Sequence, residues 1–452
     1  MQLRFGTDGI RGVANVELTP EVALVIGRAA ARRLGGAGFL IGADTRLSSP
    51  MLKAALAAGL AAEGQRVVDV GVVPTPGLAW LAAGRGLPGA MVSASHNPFT
   101  DNGIKLVSAS GTKLPDATQA AIEDEIGRLA ARPAAAAAEG SAPSPGWIVD
   151  GHDGVESYAA HLVGAVTMPT GHRLRVVCDC GNGAASPIAR TVLAALGVDA
   201  EIVNDSPDGL NINRGCGATS PAYVAGEVVA RHADLGIAFD GDADRMIAVD
   251  HTGGVVDGDA LLALFAFDLK ARGELAGDAI VVTVMSNLGL KRALAAAGVG
   301  LVETPVGDRF VAEALERHGL VLGGEQSGHI VFRRDATTGD GILTGLKLIE
   351  LVARGGTPLA ELAGAAMTRV PQELRNVTVA APDSLEEAEA VWREVAAVQR
   401  DLGDAGRVLV RSSGTESAVR VMVEADSPEA VEMALGRIVA VVQRELGSTG
   451  PA

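Results

Sequence analysis

The sequence predicts α/β domains with largely parallel sheets, followed by a smaller α+β unit. Short apolar runs that end in Gly, Asp or Asn alternate with Ala-rich helical stretches, as at 38–42 before Asp44 and 175–178 before Asp179. This alternation favours parallel sheets, because a helix carries the chain back to the start of the next strand. The pattern changes after Pro371, where one helix and two strands are predicted. The length of 452 residues corresponds to about three domains.

Changes in composition set the predicted boundaries. Residues 133–146 are rich in Ala, Ser, Pro and Gly and predict a linker that closes the first domain. The four predicted domains are 1–149, 150–251, 252–368 and 369–452. In the last domain we expect a helix at 384–402 and strands at 407–411 and 418–424.

Charge and hydropathy exclude several classes of partner. The formal net charge is −16, whereas a nucleic-acid surface needs clustered Lys and Arg. No apolar run approaches the ~18 residues of a membrane span. Arg4 and Asp8 lie too early for a signal peptide. We therefore expect a cytoplasmic protein that binds neither nucleic acid nor membranes.

The chain has three cysteines, Cys178, Cys180 and Cys216. An odd count favours a reducing compartment over a disulfide framework. A zinc site is the alternative, but the spacing fits none of the common zinc patterns. We expect these cysteines to be small buried residues.

A short turn after an apolar run places a hydroxyl beside an imidazole. Residues 93–98 read SASHNP and follow Ala90-Met91-Val92, a predicted strand. A serine hydroxyl needs a neighbouring base, a lowered pKa or a metal to act as a nucleophile, and this turn offers His96 as a base. The alternative is an ordinary turn, since Ser, Asn and Pro are common in turns.

A second loop concentrates three carboxylates. Asp240, Asp242 and Asp244 alternate between two apolar runs, so their side chains can converge on one cation while Gly241 lets the backbone curl. Oxygen ligands of this kind suit Mg²⁺ or Ca²⁺. An EF-hand is excluded, because its sixth and twelfth positions would be Arg245 and His251 here. A solvated acidic turn is the alternative, but repulsion among three close carboxylates makes it costly.

These two loops belong to an ordered series of motifs that resembles the α-D-phosphohexomutase superfamily and, within it, the bacterial phosphoglucosamine mutases. The motifs run the length of the chain. They are 5–12 (FGTDGIRG), 93–98 (SASHNP), 101–105 (DNGIK), 179–183 (DCGNG), 211–213 (NIN) with 216–217 (CG), 240–245 (DGDADR), 306–309 (VGDR), 324–329 (GEQSGH) and 411–416 (RSSGTE).

The resemblance implies a fold and an activity. The fold would be three similar α/β domains with mixed, largely parallel sheets and a smaller, mobile C-terminal α+β domain, arranged around a central cleft. The activity would be interconversion of glucosamine 6-phosphate and glucosamine 1-phosphate in amino-sugar and cell-wall precursor synthesis. The reaction would pass through a phosphoserine enzyme and a 1,6-bisphosphate intermediate.

The resemblance also assigns roles to residues of the matching motifs. The implied catalytic residues are Ser95, Arg11, Lys105, His329 and Arg245. The implied metal ligands are Ser95, Asp240, Asp242 and Asp244. The implied substrate-binding residues are Glu325, Ser327, Asp308, Arg309, Arg411, Ser413, Gly414, Thr415 and Arg420. For His329, a structural role inside the fold is the alternative.

Cofactors and partners follow from the same resemblance. They are Mg²⁺, a covalent phosphate on Ser95, a hexosamine or hexose 1,6-bisphosphate as activator, hexosamine phosphates as substrates, and a homodimer. The last motif departs from the family pattern, because Ser412 and Ser417 stand where the family usually has proline. This departure leaves the contact residues in place but affects the expected rigidity of the loop.

Two other functions stay open at this point. A phosphoglucomutase or phosphomannomutase would share every catalytic motif, although residues 6–9, 306–309 and Gln326 favour the glucosamine branch. A non-catalytic sugar-phosphate sensor on the same fold would be expected to lack the serine or a metal ligand, and the sequence retains them all.

Overall fold

A computed structural model describes residues 5–6, 8–131, 144–171, 173–413 and 417–447. The chain divides into two compact units. The first comprises Met1–Met285 and Val299–Ala366, and the second comprises Ser286–Gly298 and Met367–Ala452. The first unit contains three of the four sheets, and the second contains the remaining one.

The first sheet has six strands and follows directly from the apolar runs at the start of the chain. They are β1 (Ile10–Val13), β2 (Phe39–Ala43), β3 (Val67–Val72), β4 (Gly89–Val92), β5 (Asp101–Val107) and β6 (Ile148–Asp150). Their order is β1-β5-β4-β2-β3-β6. Strands β4, β2, β3 and β6 pair in parallel, whereas β5 and β1 join antiparallel. Most of the predicted linker at 133–146 lies outside the described residues.

Helices cover both faces of this sheet. They are α1 (Pro20–Leu34), α2 (Ser49–Ala62), α3 (Thr75–Arg85) and α4 (Asp116–Ala130). All five residues of β2 are buried, and alternation along the strand sends neighbouring side chains to opposite faces. Phe39 and Ile41 share a core with Leu56 of α2, while Leu40 packs in a separate core with Leu78 of α3. A strand buried on both faces explains the uninterrupted apolar run.

The second sheet carries the acidic loop. Its strands are β7 (Arg175–Asp179), β8 (Asp199–Val203), β9 (Leu235–Phe239), β10 (Met246–Asp250) and β11 (Val255–Val256), and its helices are α5 (Asp153–Gly164), α6 (Ala189–Ala195) and α7 (Pro221–Arg231). The order is β11-β10-β9-β7-β8, with β8, β7 and β9 parallel. Strands β9 and β10 are antiparallel neighbours, so residues 240–245 form the turn that joins them.

The third sheet has four strands. They are β12 (Ala279–Thr283), β13 (Gly300–Thr304), β14 (Leu322–Gly324) and β15 (Ile330–Phe332) in the order β13-β12-β14-β15. Its helices are α8 (Gly258–Ala271), α10 (Asp308–His318), α11 (Gly341–Gly355) and α12 (Leu359–Ala366), while α9 (Leu288–Ala296) belongs to the second unit. Side chains cap three of these helices: Asp257 accepts from the amide of Ala260 before α8, Asn287 from that of Gly289 before α9, and Asp340 from that of Leu343 before α11.

The functional loops therefore share one topological position. The Ser95 turn follows β4, the acidic loop follows β9, and residues 325–329 follow β14. Each of these strands is parallel to a neighbour in its sheet. Ligand sites of α/β proteins lie at such carboxyl ends of strands.

The second unit is an antiparallel α+β structure. Its strands are β16 (Gln372–Thr378), β17 (Gly406–Ser412) and β18 (Ala418–Ala425), in the order β16-β18-β17, and α13 (Glu389–Leu402) and α14 (Pro428–Leu446) accompany α9. Both predicted strands and the predicted fold class are confirmed. The predicted helix at 384–402 begins later than expected: Pro382–Leu385 form a 3-10 turn instead. Buried Leu385 anchors this turn, and its carbonyl accepts from Trp392 Nε1 at 2.8 Å.

The cysteines behave as predicted, since Cys178, Cys180 and Cys216 are buried and free. In the described part of the chain, no helix combines the length and the apolar character that crossing a bilayer would require.

Candidate active site

The Ser95 turn and the acidic loop meet although they are 145 positions apart in sequence. Ser95 Oγ donates to Asp240 Oδ2 at 2.5 Å and lies 3.2 Å from His96 Nδ1. The serine is 1% exposed and adopts a left-handed backbone conformation with φ of 51°. Left-handed geometry is uncommon for a residue with a side chain and often marks functional sites. The turn therefore aims the hydroxyl at the acidic loop.

The acidic loop gathers its carboxylates as the alternation predicted. Oxygen atoms of Asp240, Asp242 and Asp244 lie within 4.8 Å of one another, and all three residues are buried. Gly241 must lack a side chain, because a Cβ there would lie 2.5 Å from the carbonyl oxygen of Ser95. The serine turn and the acidic loop therefore touch through backbone as well as through side chains.

The donor set fits a small hard cation. Asp242 Oδ1 and Asp244 Oδ1 are buried without a hydrogen-bond partner among the described residues. Burial and the neighbouring carboxylates of Asp244 and Asp242 hold the pKa of Asp240 well above its usual range. Three carboxylates beside a hydroxyl match the oxygen ligands that Mg²⁺ prefers. The residues present thus fit the implied ion.

Basic side chains surround the acidic loop. Lys105 Nζ lies 2.8 Å from Asp242 Oδ2 and 2.9 Å from Asp8 Oδ2. Burial opposes the charged form of Lys105, but these carboxylates raise its pKa above the ordinary value. Arg245 Nε lies 3.8 Å from Asp244 Oδ1. Arg11 pairs with Asp8 and donates to Asn97 Oδ1 at 3.4 Å. Lys105 and Arg245 therefore contact the acidic loop directly, and Arg11 is linked to Lys105 through Asp8.

The surroundings of His329 shift its pKa in opposite directions. Burial alone would lower its pKa, but Asp244, Asp308 and Glu325 raise it to about 9. Its Nδ1 lies 3.7 Å from Asp244 Oδ2. The amide of Gly339 donates to Nε2 at 3.0 Å, which requires an unprotonated nitrogen and so opposes the second proton. A ring balanced in this way is suited to gaining and losing a proton.

A cavity of about 170 Å³ opens beside these groups. It is lined by Asp8, Arg11, His96, Asp244, Arg245, Val306, Gly307, Asp308, Glu325 and His329. Glu325 Oε1 accepts from the amide of Gly307 at 3.2 Å, and Ser327 Oγ donates to Glu325 Oε2 at 3.3 Å. The side chain of Arg309 instead forms an ion pair with Asp116. Most of the residues that line the cavity therefore carry ionisable side chains, as a charged ligand requires.

The second unit holds the remaining predicted residues. Arg411 and Arg420 are register partners on β17 and β18, so their side chains leave the same face of the sheet. Burial and neighbouring Arg420 lower the pKa of Arg411. Within the described chain, Arg411 Nε and Ser413 Oγ are buried without a partner. Two adjacent cations and unpaired donors suit an anion.

Two predicted members of this loop, Gly414 and Thr415, lie outside the described residues. Of the two serines that replace prolines, Ser412 has a partner of its own, because its Oγ donates to the carbonyl of Pro382 at 2.8 Å. Ser417 contributes its carbonyl oxygen to the amide of Val379 at 3.0 Å. The side-chain contact of Ser412 therefore adds a restraint at a position where the family usually has proline, whereas a proline at 417 could make the same carbonyl contact.

The sequence analysis missed several residues that organise the site. Lys113 Nζ lies 3.1 Å from Asp8 Oδ1 and 2.7 Å from Asp308 Oδ2, and no local pattern marks this lysine. Arg46 is fully buried against the Ser95 turn. Its neighbour Asp44 follows a predicted strand. That position was the only sequence feature that could have placed Arg46 near the site.

Family models match the chain in four consecutive segments. All four describe phosphoglucomutase/phosphomannomutase: the alpha/beta/alpha domains I, II and III match residues 2–132, 156–254 and 257–370, and the C-terminal domain matches 374–440. The segments follow the three α/β sheets and the antiparallel sheet in order.

The similarity to known proteins extends over nearly the full length of this chain. A phosphoglucosamine mutase from Rubrobacter xylanophilus is 50% identical over 450 residues, which covers 99% of this chain and 98% of that protein. A phosphoglucomutase/phosphomannomutase family protein from Burkholderia thailandensis has a similar structure, with a TM-score of 0.83 and 27% identity over 98% of each chain.

A more distant structure shares the fold alone. It is an Aspergillus fumigatus N-acetylphosphoglucosamine mutase in complex with GlcNAc-6P and magnesium, with a TM-score of 0.71 and 21% identity over 99% of this chain and 96% of that one. The four matched segments and the full-length identity to the Rubrobacter protein agree with the geometry of the serine and acidic loops. The chain therefore belongs to the phosphoglucomutase/phosphomannomutase family.

Proposed function

We propose that this protein is a phosphoglucosamine mutase, which interconverts glucosamine 6-phosphate and glucosamine 1-phosphate for amino-sugar and cell-wall precursor synthesis. The observation that carries the proposal is the 2.5 Å contact between Ser95 Oγ and Asp240 Oδ2, which joins a nucleophile to a metal-binding loop. The name of the relative that is 50% identical supports the glucosamine substrate.

In the proposed cycle, the enzyme begins and ends with one phosphate on Ser95. The O1 hydroxyl of glucosamine 6-phosphate attacks the phosphorus of phospho-Ser95. The new P–O1 bond forms as the P–Oγ bond breaks, and the O1 proton passes to a base of the enzyme. The 1,6-bisphosphate then reorients. Ser95 Oγ attacks the other phosphorus, the P–O6 bond breaks, and the proton returns to O6.

We propose that Asp240, Asp242 and Asp244, with Ser95, hold Mg²⁺. When bound, this ion would neutralise charge on the transferring phosphoryl group. The magnesium complex of the Aspergillus protein is consistent with this choice. The unpartnered oxygens of Asp242 and Asp244 are the structural basis for it.

The basic residues have distinct proposed tasks. His329 is a candidate for moving the hydroxyl proton, because opposing groups balance its protonation. Lys105 and Arg245 contact the acidic loop and Arg11 pairs with Asp8, and these three residues would stabilise negative charge that spreads during transfer. All of them lie in one site with Ser95, so each could act in both half-reactions.

Sugar and phosphate recognition complete the proposal. Glu325 and Ser327 offer an acceptor and a donor to sugar hydroxyls. Asp308 and Arg309 begin α10, directly after Gly307, whose amide donates to Glu325. Arg411, Ser413, Gly414, Thr415 and Arg420 would bind the phosphate that does not react. Guanidinium groups suit this task because they bind phosphate through paired hydrogen bonds.

Further proposals rest on the family resemblance. We propose that a hexosamine or hexose 1,6-bisphosphate restores phosphate to Ser95, that the protein acts in the cytoplasm, and that it forms a homodimer. We keep 1–149, 150–251, 252–368 and 369–452 as its proposed domains. Sedimentation of the purified protein would test the dimer.

A parallel coupled assay tests the substrate. Purified protein is supplied with glucosamine, glucose or mannose 6-phosphate, and formation of each 1-phosphate is followed. We expect the highest kcat/KM with glucosamine 6-phosphate, because a polar contact at carbon 2 can separate an amine from a hydroxyl. Higher efficiency with a glucose or mannose phosphate would assign the protein to another branch of the family.

Peptide mass analysis tests the covalent step. Phosphate should map to Ser95 rather than Ser93, and a hexose 1,6-bisphosphate should restore it after phosphatase treatment. Ser95→Ala should fold normally and lose nearly all turnover, whereas Ser110→Ala, at an exposed hydroxyl, should retain parental activity. Parental activity in Ser95→Ala would refute the mechanism.

A further inference from the structure

We infer that Arg46 is a positioning residue for phosphoryl transfer: with Asn213, its buried guanidinium holds the Ser95 turn in the left-handed conformation that aims the hydroxyl at the acidic loop. This inference rests on the proposed function, since it assumes that Ser95 exchanges a phosphoryl group. Neither Arg46 nor Asn213 is among the residues assigned a role above.

The guanidinium of Arg46 donates hydrogen bonds to backbone carbonyl oxygens of the Ser95 turn. Its Nη2 donates to the carbonyls of Ser95 and Asn97, each at 2.8 Å. Its Nη1 donates to the carbonyls of Pro98 and of Asp101, the latter at 3.1 Å. The guanidinium therefore binds three carbonyls of the turn and that of Asp101, the first residue of β5, and Arg46 is 1% exposed. Only the planar fork of an arginine can donate in so many directions at once.

Asp44 fixes the guanidinium in this place. Its Oδ2 accepts from Arg46 Nε at 2.8 Å and from Ser93 Oγ at 2.7 Å. Ser93 Oγ in turn accepts from the amide of Ser95 at 2.9 Å. Both charged side chains are fully buried. The nucleophilic residue is thus held at its carbonyl by Arg46 and at its amide by Ser93, and both supports depend on Asp44.

Asn213, in the loop between β8 and α7, contacts two of the same carbonyls. Its Nδ2 donates to the carbonyls of Ser95 at 2.9 Å and Asn97 at 3.2 Å. This residue follows β8 in sequence, whereas Arg46 follows β2. The turn is therefore held by residues that follow strands of two different sheets, next to Gly241 of the acidic loop. Two independent donors for the same carbonyls indicate that their position matters.

These contacts hold the backbone of Ser95 at its positive φ. A residue with a side chain keeps a positive φ only where its surroundings impose it. Without these contacts, the turn would relax toward common angles, and Oγ would move away from Asp240. Phosphoryl transfer needs the attacking and leaving oxygens in line, so a displacement of about 1 Å can cost about a hundredfold in rate.

Two variants and one control test the inference. Arg46→Lys keeps the charge but loses the fork, and Asn213→Ala removes the second donor. Arg28→Lys is the control, because Arg28 is a partly exposed arginine that pairs with Glu63 away from the turn. Circular dichroism and thermal melting first establish that each variant folds. If Arg46→Lys fails to fold, Asn213→Ala decides the question.

The decisive readout is the rate at which Ser95 accepts phosphate from glucose 1,6-bisphosphate in a single turnover, measured by intact mass. We expect this rate and kcat to fall about a hundredfold in Arg46→Lys and about tenfold in Asn213→Ala, with KM within about twofold of the parent. A role in folding alone would lower the melting temperature and leave the phosphorylation rate of the folded variants unchanged, which would overturn the inference.

The two proposals fail in distinguishable ways. If the parent protein accepts phosphate on Ser95 but does not convert glucosamine 6-phosphate, the substrate proposal fails and the positioning experiment still stands. If parent and Asn213→Ala accept phosphate at equal rates, the positioning inference fails while the proposed function is unaffected. A matching fall in Arg28→Lys would also overturn it, because the effect would then not be specific to the turn.

Discussion

Lys105 Nζ lies 2.8 Å from Asp242 Oδ2, and both side chains are buried. The ammonium also contacts Asp8 at 2.9 Å, so one cation joins the N-terminal segment to the acidic loop. Removing one partner of a buried ion pair leaves an uncompensated charge, which typically costs about 3–5 kcal/mol. The stability of the site therefore depends on Lys105 as well as on any bound ion.

We predict that Lys105→Met lowers the melting temperature well below that of the parent, with a cost of about 3 kcal/mol. The control is Lys53→Met, because Lys53 pairs with Asp69 at 2.7 Å but is more exposed. We expect a cost below about 1 kcal/mol for that variant. Differential scanning calorimetry in the presence of a chelator gives both values, and equal losses would contradict the prediction.

The metal requirement should distinguish Mg²⁺ from Ca²⁺. Excess chelator should abolish turnover, Mg²⁺ should restore it, and Ca²⁺ should restore little. The reason is that Mg²⁺ is smaller and demands a near-octahedral oxygen shell, which three carboxylates and a phosphate oxygen can help to build. Isothermal titration with each ion provides a second readout. Full activity in chelator would reject the metal assignment.

Asp242→Asn should lower kcat far more than it raises KM. Asp242 is buried and lies between the other two carboxylates in sequence, and in the proposed metal site its charge would act mainly on the transition state. We expect a fall of at least about a hundredfold in kcat. The matched control is Asp205→Asn, since Asp205 pairs with Arg190 at the surface. Steady-state kinetics with unchanged kcat would exclude Asp242 from the metal site.

Arg411→Lys should weaken binding of sugar phosphates without unfolding the second unit. A lysine keeps the charge but cannot form the paired hydrogen bonds of a guanidinium, so we expect KM to rise about tenfold. Arg437→Lys is the control in the same unit, because Arg437 pairs at the surface with Glu394 and Asp401. Equal KM values for both variants and the parent would count against the predicted phosphate site.

Asp340 should make stability depend on pH. Burial raises its pKa from 3.8 to about 6, although the amide of Leu343 and the hydroxyl of Tyr158 oppose the rise. The folded protein therefore keeps a proton here that the unfolded chain has lost, and this contribution to stability declines as pH rises from about 4 to 6. Asp340→Asn cannot ionise and should lack this decline.

The measurement is the difference in stability between parent and Asp340→Asn at pH values from 4 to 7. The advantage of the parent should shrink by at most about 3 kcal/mol across the window and then stay constant. A difference that does not change between pH 4 and 6 would show that Asp340 does not titrate there.

The sequence predicts the buried strands of the fold, but it does not predict every helix boundary. Strands β2 and β7 were predicted because uninterrupted apolar runs are sufficient to mark buried parallel strands. The predicted start of α13 at residue 384 was wrong. Residues Pro382–Leu385 form a 3-10 turn, in which Leu385 is buried in the core. A helix boundary of that kind depends on a tertiary contact rather than on local preference.

The sequence by itself determined the chemical inventory: a serine turn, three alternating carboxylates, and basic residues in ordered motifs. Local spacing suffices for this, because alternation directs Asp240, Asp242 and Asp244 to one side whatever surrounds them. Only the tertiary structure decided that Ser95 reaches Asp240, that Lys113 bridges Asp8 and Asp308, and that Arg46 and Asn213 share two carbonyls. Those contacts join segments more than a hundred positions apart or depend on the path of an irregular turn. Their partners are set by how the sheets pack, which no local pattern encodes.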